Sequence, residues 1–402
     1  MKVLKVIHGF PPHYMAGSEV YSKNLVDCLN EYIDIAVFSR IENPFEGKYE
    51  LEEDKTGDIR RYIVNKPQTN YRLQEVYLDP DIDLVFRKIL EKEKPDIVHF
   101  GHLSHLSAKL PLIAKKEFGI PVVYTLHDFW LFCPRGQMLD EWMKICDTPD
   151  EERCLRCLKV KYRSCLTQKV YRSYRRFMSD VIGSIDVFLS PSRFLRDFFI
   201  SQGVASERVK LSPYGFDKKR IGFRTRIFDR DSEVIFGFIG RVIPSKGVLP
   251  MIRAFSSANT ERSRLEIFGD AGKFESYLNP GDDHISFHGG FDNLEVGSLL
   301  DGIDVLVVPS LWYENSPLVI QEGMLAGIPV ITSDIGGMCE LITHGVNGFT
   351  FPVGDIDALC NIISTIDSDP RILNTLTVDP SAVRSIEDDA RSALDIYRGL
   401  VL

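Results

Sequence analysis

The segment "YENSPLVIQEGMLAG" (313–327) carries two carboxylates with seven residues between them, Glu314 ahead of an apolar run and Glu322 inside it. Upstream, "GRVIPSKG" (240–247) sets two cations, Arg241 and Lys246, between Gly240 and Gly247. Carboxylates accept hydrogen bonds from hydroxyl groups, paired cations meet phosphate, and flanking glycines let the backbone approach a ligand closely. On a helix the two acids stand about 12 Å apart at 1.5 Å per residue. That is too far for one dyad but suits the two ends of an elongated ligand. Acids at both ends, with cations and a helix N-terminus between them, match ribose, diphosphate and hexose, the parts of a nucleotide-sugar.

Such groups need strands and helices to aim them. "VLVVPS" (305–310) reads as a strand, and Ser316 and Pro317 read as N-cap and first helical residue of the helix that follows, with Gly327 as its stop. Further strands are expected at 2–7, 96–100, 121–126, 186–190, 234–240, 265–269 and 329–333. Their apolar runs are near-continuous rather than alternating, which indicates parallel sheets covered on both faces by helices. A length of 402 residues accommodates two such domains. The charged, aperiodic stretch "DKKRIGFRTRIFDRDSE" (217–233) marks the boundary and reads as a linker. The expectation is an α/β chain of two doubly wound, Rossmann-like domains, with a ligand cleft at the carboxyl ends of both sets of strands.

"GRVIPSKG" followed by "ENSPLVIQE" resembles the G-R-x4-K-G and E-x7-E pair of the retaining glycosyltransferases of family 4, which have the GT-B fold. "PPHYMAGSEVYSKNL" (11–25), "TLHDFW" (125–130), "IGGMCELI" (335–342) and "HGVNGFTFPVGD" (344–355) are similar to further segments of that family in the same order. The resemblance implies an N-terminal acceptor-side domain (1–216, with a Cys-rich insertion at about 133–165), a donor-binding domain (217–380), and a final helix (381–402) returning toward the first. It implies that Arg241 and Lys246 bind the donor diphosphate, that Glu322 accepts from the ribose hydroxyls, and that Glu314 and the N–H groups of Asn315, Ser316 and Leu318 address the transferred sugar and its phosphate. His127 then approaches the sugar near the reacting carbon, and Gly17 touches the diphosphate. Base contacts are expected near Gly269 and in "FHGGF" (287–291). Two departures stand out: Asn-Ser-Pro follows Glu314 where Gly-Phe-Gly is common, and Ala16-Gly17-Ser18 replaces a Gly-Gly pair. The implied reaction moves a hexose from a nucleoside-diphosphate sugar to a glycan or lipid-linked acceptor. A nucleotide-sugar epimerase and a non-catalytic nucleotide-sugar-binding protein are the alternatives on the same fold.

No metal is expected in catalysis. Asp81 and Asp83 in "DPDIDL" (79–84) precede a helical pattern, where acids serve as N-terminal charges. Cys133, Cys146, Cys154 and Cys157, spaced C-x12-C-x7-C-x2-C, meet the ligand count of a structural Zn or iron–sulfur site. Cys165 competes as a ligand, and four reduced thiols are the alternative. From Arg153 to Ser179 there are nine Lys or Arg and no acid. Helical spacing there places Leu166, Val170, Tyr174, Phe177 and Val181 on one face, a core-packed helix whose basic side can also meet an anionic membrane. The formal charge of −9 excludes nucleic acid as an electrostatic partner. With no signal peptide and no spanning apolar segment, the expected location is cytoplasmic, extending to the periphery of the inner membrane face.

Overall fold

A computed structural model describes residues 1–401 apart from 56, 67–71, 163–165, 273 and 275–280. The chain forms two compact units, Met1–Phe216 with Ser385–Leu402, and Asp217–Arg384. Unit 1 holds an eight-stranded sheet of β1 (Lys2–Val6), β2 (Asp34–Ile41), β3 (Leu51–Asp54), β4 (Arg60–Asn65), β5 (Ile97–Phe100), β6 (Val122–Thr125), β7 (Val187–Ser190) and β8 (Val209–Leu211). Their order is β3-β4-β2-β1-β5-β6-β7-β8. All neighbours run parallel except β3, which lies antiparallel to β4 on the edge.

Unit 2 holds a six-stranded parallel sheet of β9 (Ile235–Ile239), β10 (Arg264–Phe268), β11 (Ile285–Gly289), β12 (Val305–Val308), β13 (Val330–Ser333) and β14 (Gly348–Phe351). The order is β11-β10-β9-β12-β13-β14. Phe236, Phe238, Val305, Val307 and Ile331 supply the buried side chains of its core, against Met251 and Phe255 of the helix Val248–Ser257. In both units the order reverses beside the first strand, so strand ends on either side of that point open onto the same edge.

Every expected strand is present. β2 was not expected, because Ser39 and Arg40 interrupt its apolar run. Both are nonetheless buried. Arg40 meets Glu42 (2.7 Å) and donates to the Lys66 carbonyl (3.1 Å), which makes the buried charge tolerable. The 217–233 stretch is not the free linker its composition suggested. Phe228 is buried in the core of unit 2, its backbone N–H accepted by Asn374 Oδ1 (2.9 Å), and Arg224 N donates to the Ala326 carbonyl (3.2 Å). Backbone pairing and one buried aromatic lay the segment down despite its charge.

The final helix, Ile386–Val401, belongs to unit 1. Its Asp389 accepts from Tyr21 Oη (2.9 Å) on the helix Gly17–Asn30, and Tyr397 Oη meets His99 Nδ1 (2.5 Å) on β5. Where the chain leaves unit 1 and where it returns, Phe216 and Ser385 form a parallel bridge, and Ile386 N donates to the Phe216 carbonyl (2.9 Å).

One glycine fixes the loop after β9. Gly247 has φ 72°, and a Cβ there would lie 1.9 Å from the Pro309 carbonyl oxygen. Gly354 has a similar φ of 73°, but its nearest neighbour would be Leu311 Cδ2 at 3.7 Å. Gly247→Ala should therefore cost about 3 kcal/mol or more, against about 1–2 kcal/mol for Gly354→Ala, where only the left-handed backbone is strained. Urea unfolding of the two variants measures the difference, and equal losses would contradict the steric account.

Candidate functional site

In unit 2, Lys246 and Glu314 meet at the carboxyl ends of β9 and β12. Lys246 Nζ donates to Glu314 Oε1 at 2.5 Å. The same oxygen accepts from Ser310 Oγ (2.8 Å) and Trp312 Nε1 (3.1 Å). Glu314 and Asn315 are buried, Lys246 is partly so, and Arg241, in the same loop as Lys246, is exposed. The loops themselves are stitched together, with Leu311 N donating to the Ser245 carbonyl (2.8 Å) and Gly337 N to the Glu314 carbonyl (2.8 Å). At Gly336, φ 62°, a Cβ would fall 2.7 Å from that same carbonyl oxygen. The result is a buried acid, a tethered lysine and an exposed arginine at one sheet edge, a set that can receive an anion and a polyol together.

The helix after this loop differs by one residue from expectation. It spans Leu318–Leu325, with Pro317 at the N-cap in an extended conformation (ψ 121°). Ser316 is not the cap, because its hydroxyl accepts from Gln321 Nε2 (2.9 Å). Gly327 does end the helix, at φ 76°. Glu322 lies in the helix with its carboxyl pushed up to about 7 by burial, Arg220 opposing. Beyond β9, Gly269 packs so closely that a Cβ would lie 1.8 Å from the Gly240 carbonyl oxygen, and the Phe268 ring stacks on His288 (4.5 Å, 10°).

Unit 1 gathers a second polar set at its strand ends. His127 follows β6, and its Nδ1 meets Tyr214 Oη at 2.7 Å. Burial, with Lys5 and His102 adding to it, pushes the imidazole well below its ordinary range, so the ring is neutral at physiological pH. Asp128 next to it takes His102 Nε2 (3.1 Å) and accepts from Trp130 N (2.8 Å). His8 pairs with Glu19 (3.1 Å), whose carboxyl is held down at about 2 by His8 against the opposing effect of burial. Gly17 opens the helix Gly17–Asn30 and is exposed, while Ser18 Oγ donates to Glu19 Oε2 (2.8 Å). Tyr214, His102 and His8 were not singled out in the sequence. Their signal is their place within two residues or so of a strand end, which only the topology turns into proximity.

The insertion corrects two expectations. Cys133, Cys146, Cys154 and Cys157 line one cavity with Arg135, Asp140 and Arg153. Among the described residues, however, no group of three or more His, Cys, Asp or Glu is placed to hold a metal ion. The thiols are bonded separately instead: Arg135 Nη1 donates to Cys157 Sγ (3.3 Å), and Cys146 Sγ faces the Lys144 carbonyl (3.9 Å). Burial raises the Cys133 and Cys154 thiols and pushes Cys146 up to about 12. Cys165 lies outside the described residues. The expected Zn or iron–sulfur site is therefore not formed by this arrangement. The basic helix Gln168–Gly183 buries Tyr171, Tyr174, Met178 and Val181, whereas Val170 is exposed rather than on the buried face. Several of its region's cations point into the insertion: Arg153 to Asp140 (3.0 Å), Arg172 to Glu151 (2.9 Å), and Arg175 to the Phe132 carbonyl (2.9 Å).

Two parallel α/β units with these sheet-edge sets are those of a GT-B glycosyltransferase, and comparison with solved structures agrees. Sucrose-phosphate synthase of Thermosynechococcus elongatus superposes with a TM-score of 0.72 at 19% identity, covering 100% of this chain and 99% of that one. HepE of Anabaena, solved with UDP and glucose, gives 0.68 at 19% identity over 100% of both chains. In sequence, residues 15–220 match Glycosyltransferase Family 4 and residues 233–369 match Glycosyl transferases group 1. The chain belongs to glycosyltransferase family 4. An uncharacterized glycosyltransferase of Methanocaldococcus jannaschii is 29% identical over 99% of this chain and 98% of its own length. The Escherichia coli UDP-Gal:α-D-GlcNAc-diphosphoundecaprenol α-1,3-galactosyltransferase is 25% identical over 72% of this chain and 70% of its own.

Glu322 yields a prediction about stability. In the unfolded chain a glutamate ionises near about 4.3, so between there and about 7 the native state holds more protons than the unfolded one. Its contribution to stability thus falls as pH rises through that window and is level above it. Glu322→Gln should remove the slope and raise stability at pH 8 by about 1–3 kcal/mol. Urea titrations at about pH 5 and 8 test this, and an unchanged slope in the variant would refute it.

Proposed function

We propose that the protein transfers a hexose from a nucleoside-diphosphate sugar, with net retention, to a glycan or lipid-linked acceptor in polysaccharide or glycoconjugate assembly. The observation that carries the reading is the Lys246–Glu314 pair at the sheet edge of unit 2, with Arg241 exposed two residues after β9. Arg241 and Lys246 neutralise the charge that builds on the departing diphosphate, the electrostatic contribution that usually dominates such catalysis. Glu314, with the backbone at Asn315, Ser316 and Leu318, addresses the sugar and its phosphate. Glu322 accepts from the ribose hydroxyls, and Gly17 of unit 1 touches the diphosphate. His127, neutral and tethered, acts on the transferred sugar.

A double displacement needs a carboxylate within bonding reach of the anomeric carbon. Asp128 is the acid nearest His127 in sequence, but its two oxygens are committed to His102 and Trp130 N. A Cβ on Gly136 would lie 2.5 Å from Asp128 Oδ2, so the carboxyl is also closely packed. These facts favour a front-face route in which the donor phosphate takes the acceptor's proton. UDP-hexoses are the first donors to try, since HepE was solved with UDP and glucose and the Escherichia coli relative is named for UDP-galactose.

Thermal shift with UDP-glucose, UDP-galactose and GDP-mannose identifies the donor, since a ligand of the native state raises its apparent stability. Arg241→Ala and Lys246→Ala should each lower turnover by about two to three orders of magnitude, in the range of lost oxyanion contacts. Product NMR fixes the stereochemistry, and a β-glycoside from an α-linked donor would overturn retention. A protein that binds a donor yet never turns it over would not be a transferase. A membrane-facing role for the insertion is favoured by Trp142 and Val160, 72% and 63% exposed, beside a segment with exposed Lys159, Lys169 and Arg176. Among the described residues no helix is long and apolar enough to cross a bilayer. Co-sedimentation with phosphatidylglycerol vesicles at low salt should capture the protein, and none in the pellet would retire this role.

A further inference from the structure

His127 is neutral, so it exists as one of two tautomers, and which nitrogen carries the hydrogen decides whether the ring offers a donor or an acceptor. The group facing Nδ1 is the Tyr214 hydroxyl at 2.7 Å. Burial pushes that phenol well above its ordinary range, so it keeps its proton. A phenol with a proton to give, opposite an imidazole nitrogen, is satisfied by donating to bare Nδ1, which leaves the hydrogen on Nε2. On the other side of the ring, Nε2 faces Gly101 at the end of β5, where a Cβ would stand 3.3 Å away.

What holds Tyr214 is a device unconnected with packing in general. Asp389, buried on the final helix, accepts from Gly215 N (3.0 Å) at Oδ2 and from Ser212 Oγ (3.4 Å) at Oδ1. It grips the chain on both sides of Tyr214. Gly215 admits no side chain there, since a Cβ would lie 2.5 Å from the Ser385 carbonyl oxygen and 2.7 Å from Asp389 Cβ. A third bond to Asp389, again at Oδ2, is donated by Tyr21 Oη, whose ring lies against Tyr214 (4.1 Å between centroids) and edge-on to His127 (5.9 Å, 70°). Tyr214 thus has its backbone fixed, its ring covered and its hydroxyl aimed.

We infer that Tyr214 is a positioning residue for His127, holding its ring in the Nε2–H tautomer, and that Asp389 holds Tyr214 in place. This rests on the assignment of His127 to the transferred sugar. Nε2–H then presents a hydrogen-bond donor to a substrate oxygen, and the proximity of Gly101 sets the space around it.

The test uses the full chain labelled with ring-15N histidine, the His127 signals being assigned by their loss in His127→Gln. Wild type should show one tautomer, Nδ1 bare and Nε2 protonated. Tyr214→Phe keeps the ring and removes the hydroxyl. It should produce a tautomer mixture and lower turnover of UDP-glucose, or of UDP-galactose or GDP-mannose where the thermal-shift panel selects it, about tenfold with donor KM within about twofold, in line with one lost hydrogen bond. Asp389→Asn should move both readouts the same way, and it serves if Tyr214→Phe folds poorly. A Tyr214→Phe protein that loses thermal stability but keeps the His127 shifts and the turnover would overturn the inference, as would a wild-type Nδ1–H tautomer. Full activity in His127→Ala would instead remove the underlying assignment of His127.

Discussion

One oxygen of Glu314 accepts from a lysine, a serine and an indole, and the backbone carbonyl of the same residue accepts from Gly337. Through that residue the loops after β9, β12 and β13 become a single structure. A buried carboxylate without partners would be costly, whereas one with three donors is tolerated and rigid. The surrounding backbone is drawn close by glycines whose missing side chains leave room for carbonyl oxygens, Gly247 against Pro309 and Gly336 against Glu314. Lys246 is therefore held in a fixed place, its charge met by Glu314, and in the proposed reaction a diphosphate would compete for it rather than having to order it. Binding then requires little further loss of side-chain freedom.

Unit 1 handles its buried charges differently. At its strand ends four bases have a nearby acid: His8 with Glu19, His102 with Asp128, Arg40 with Glu42, Lys66 with Asp79. Burial drives bases toward neutrality even within such pairs, lowering His8 and Lys66 against Glu19 and Asp79, and more so outside them. Burial brings Lys5 down to about 7 despite Asp389, and carries His99 and His127 well below the ordinary imidazole range. The final helix completes this arrangement by contributing Asp389 and Tyr397 to the interior of a unit whose other residues precede it by more than a domain's length of chain. Its role is thus chemical as well as structural, because the polar groups it inserts bear on the residues around His127.

The Cys-rich insertion shows how spacing can mislead. A C-x2-C pair on a helix with two further thiols has the ligand count of a metal site, and the fold does bring all four to one cavity. Ligation also requires the sulfurs to converge on a point, and among the described residues no group of three or more ligands does so. Here Arg135, backbone carbonyls and burial engage the thiols one at a time. Two of the arginines that looked like a free basic face are paired with acids of the insertion itself, Arg153 with Asp140 and the exposed Arg172 with Glu151.

The sequence by itself determined the class of fold, and it marked Lys246 and Glu314, which the fold brings together. Near-continuous apolar runs of strand length, bounded by turn residues, indicate strands buried on two faces, and the glycines, cations and acids within 240–247 and within 314–322 lie close enough along the chain for their spacing to carry meaning. It also marked His127, by its place after a strand. It could not show that Ser310 and Trp312 share an oxygen with Lys246, that Ser316 is claimed by Gln321 rather than capping its helix, or that Tyr214 and Asp389, far apart in sequence, meet around His127. β2 and the 217–233 stretch escaped for a related reason: a buried Arg40 and a chain of arginines look like surface until their partners are in place. Period and spacing report on neighbours along the chain, whereas hydrogen-bond satisfaction and burial depend on residues that only folding brings together.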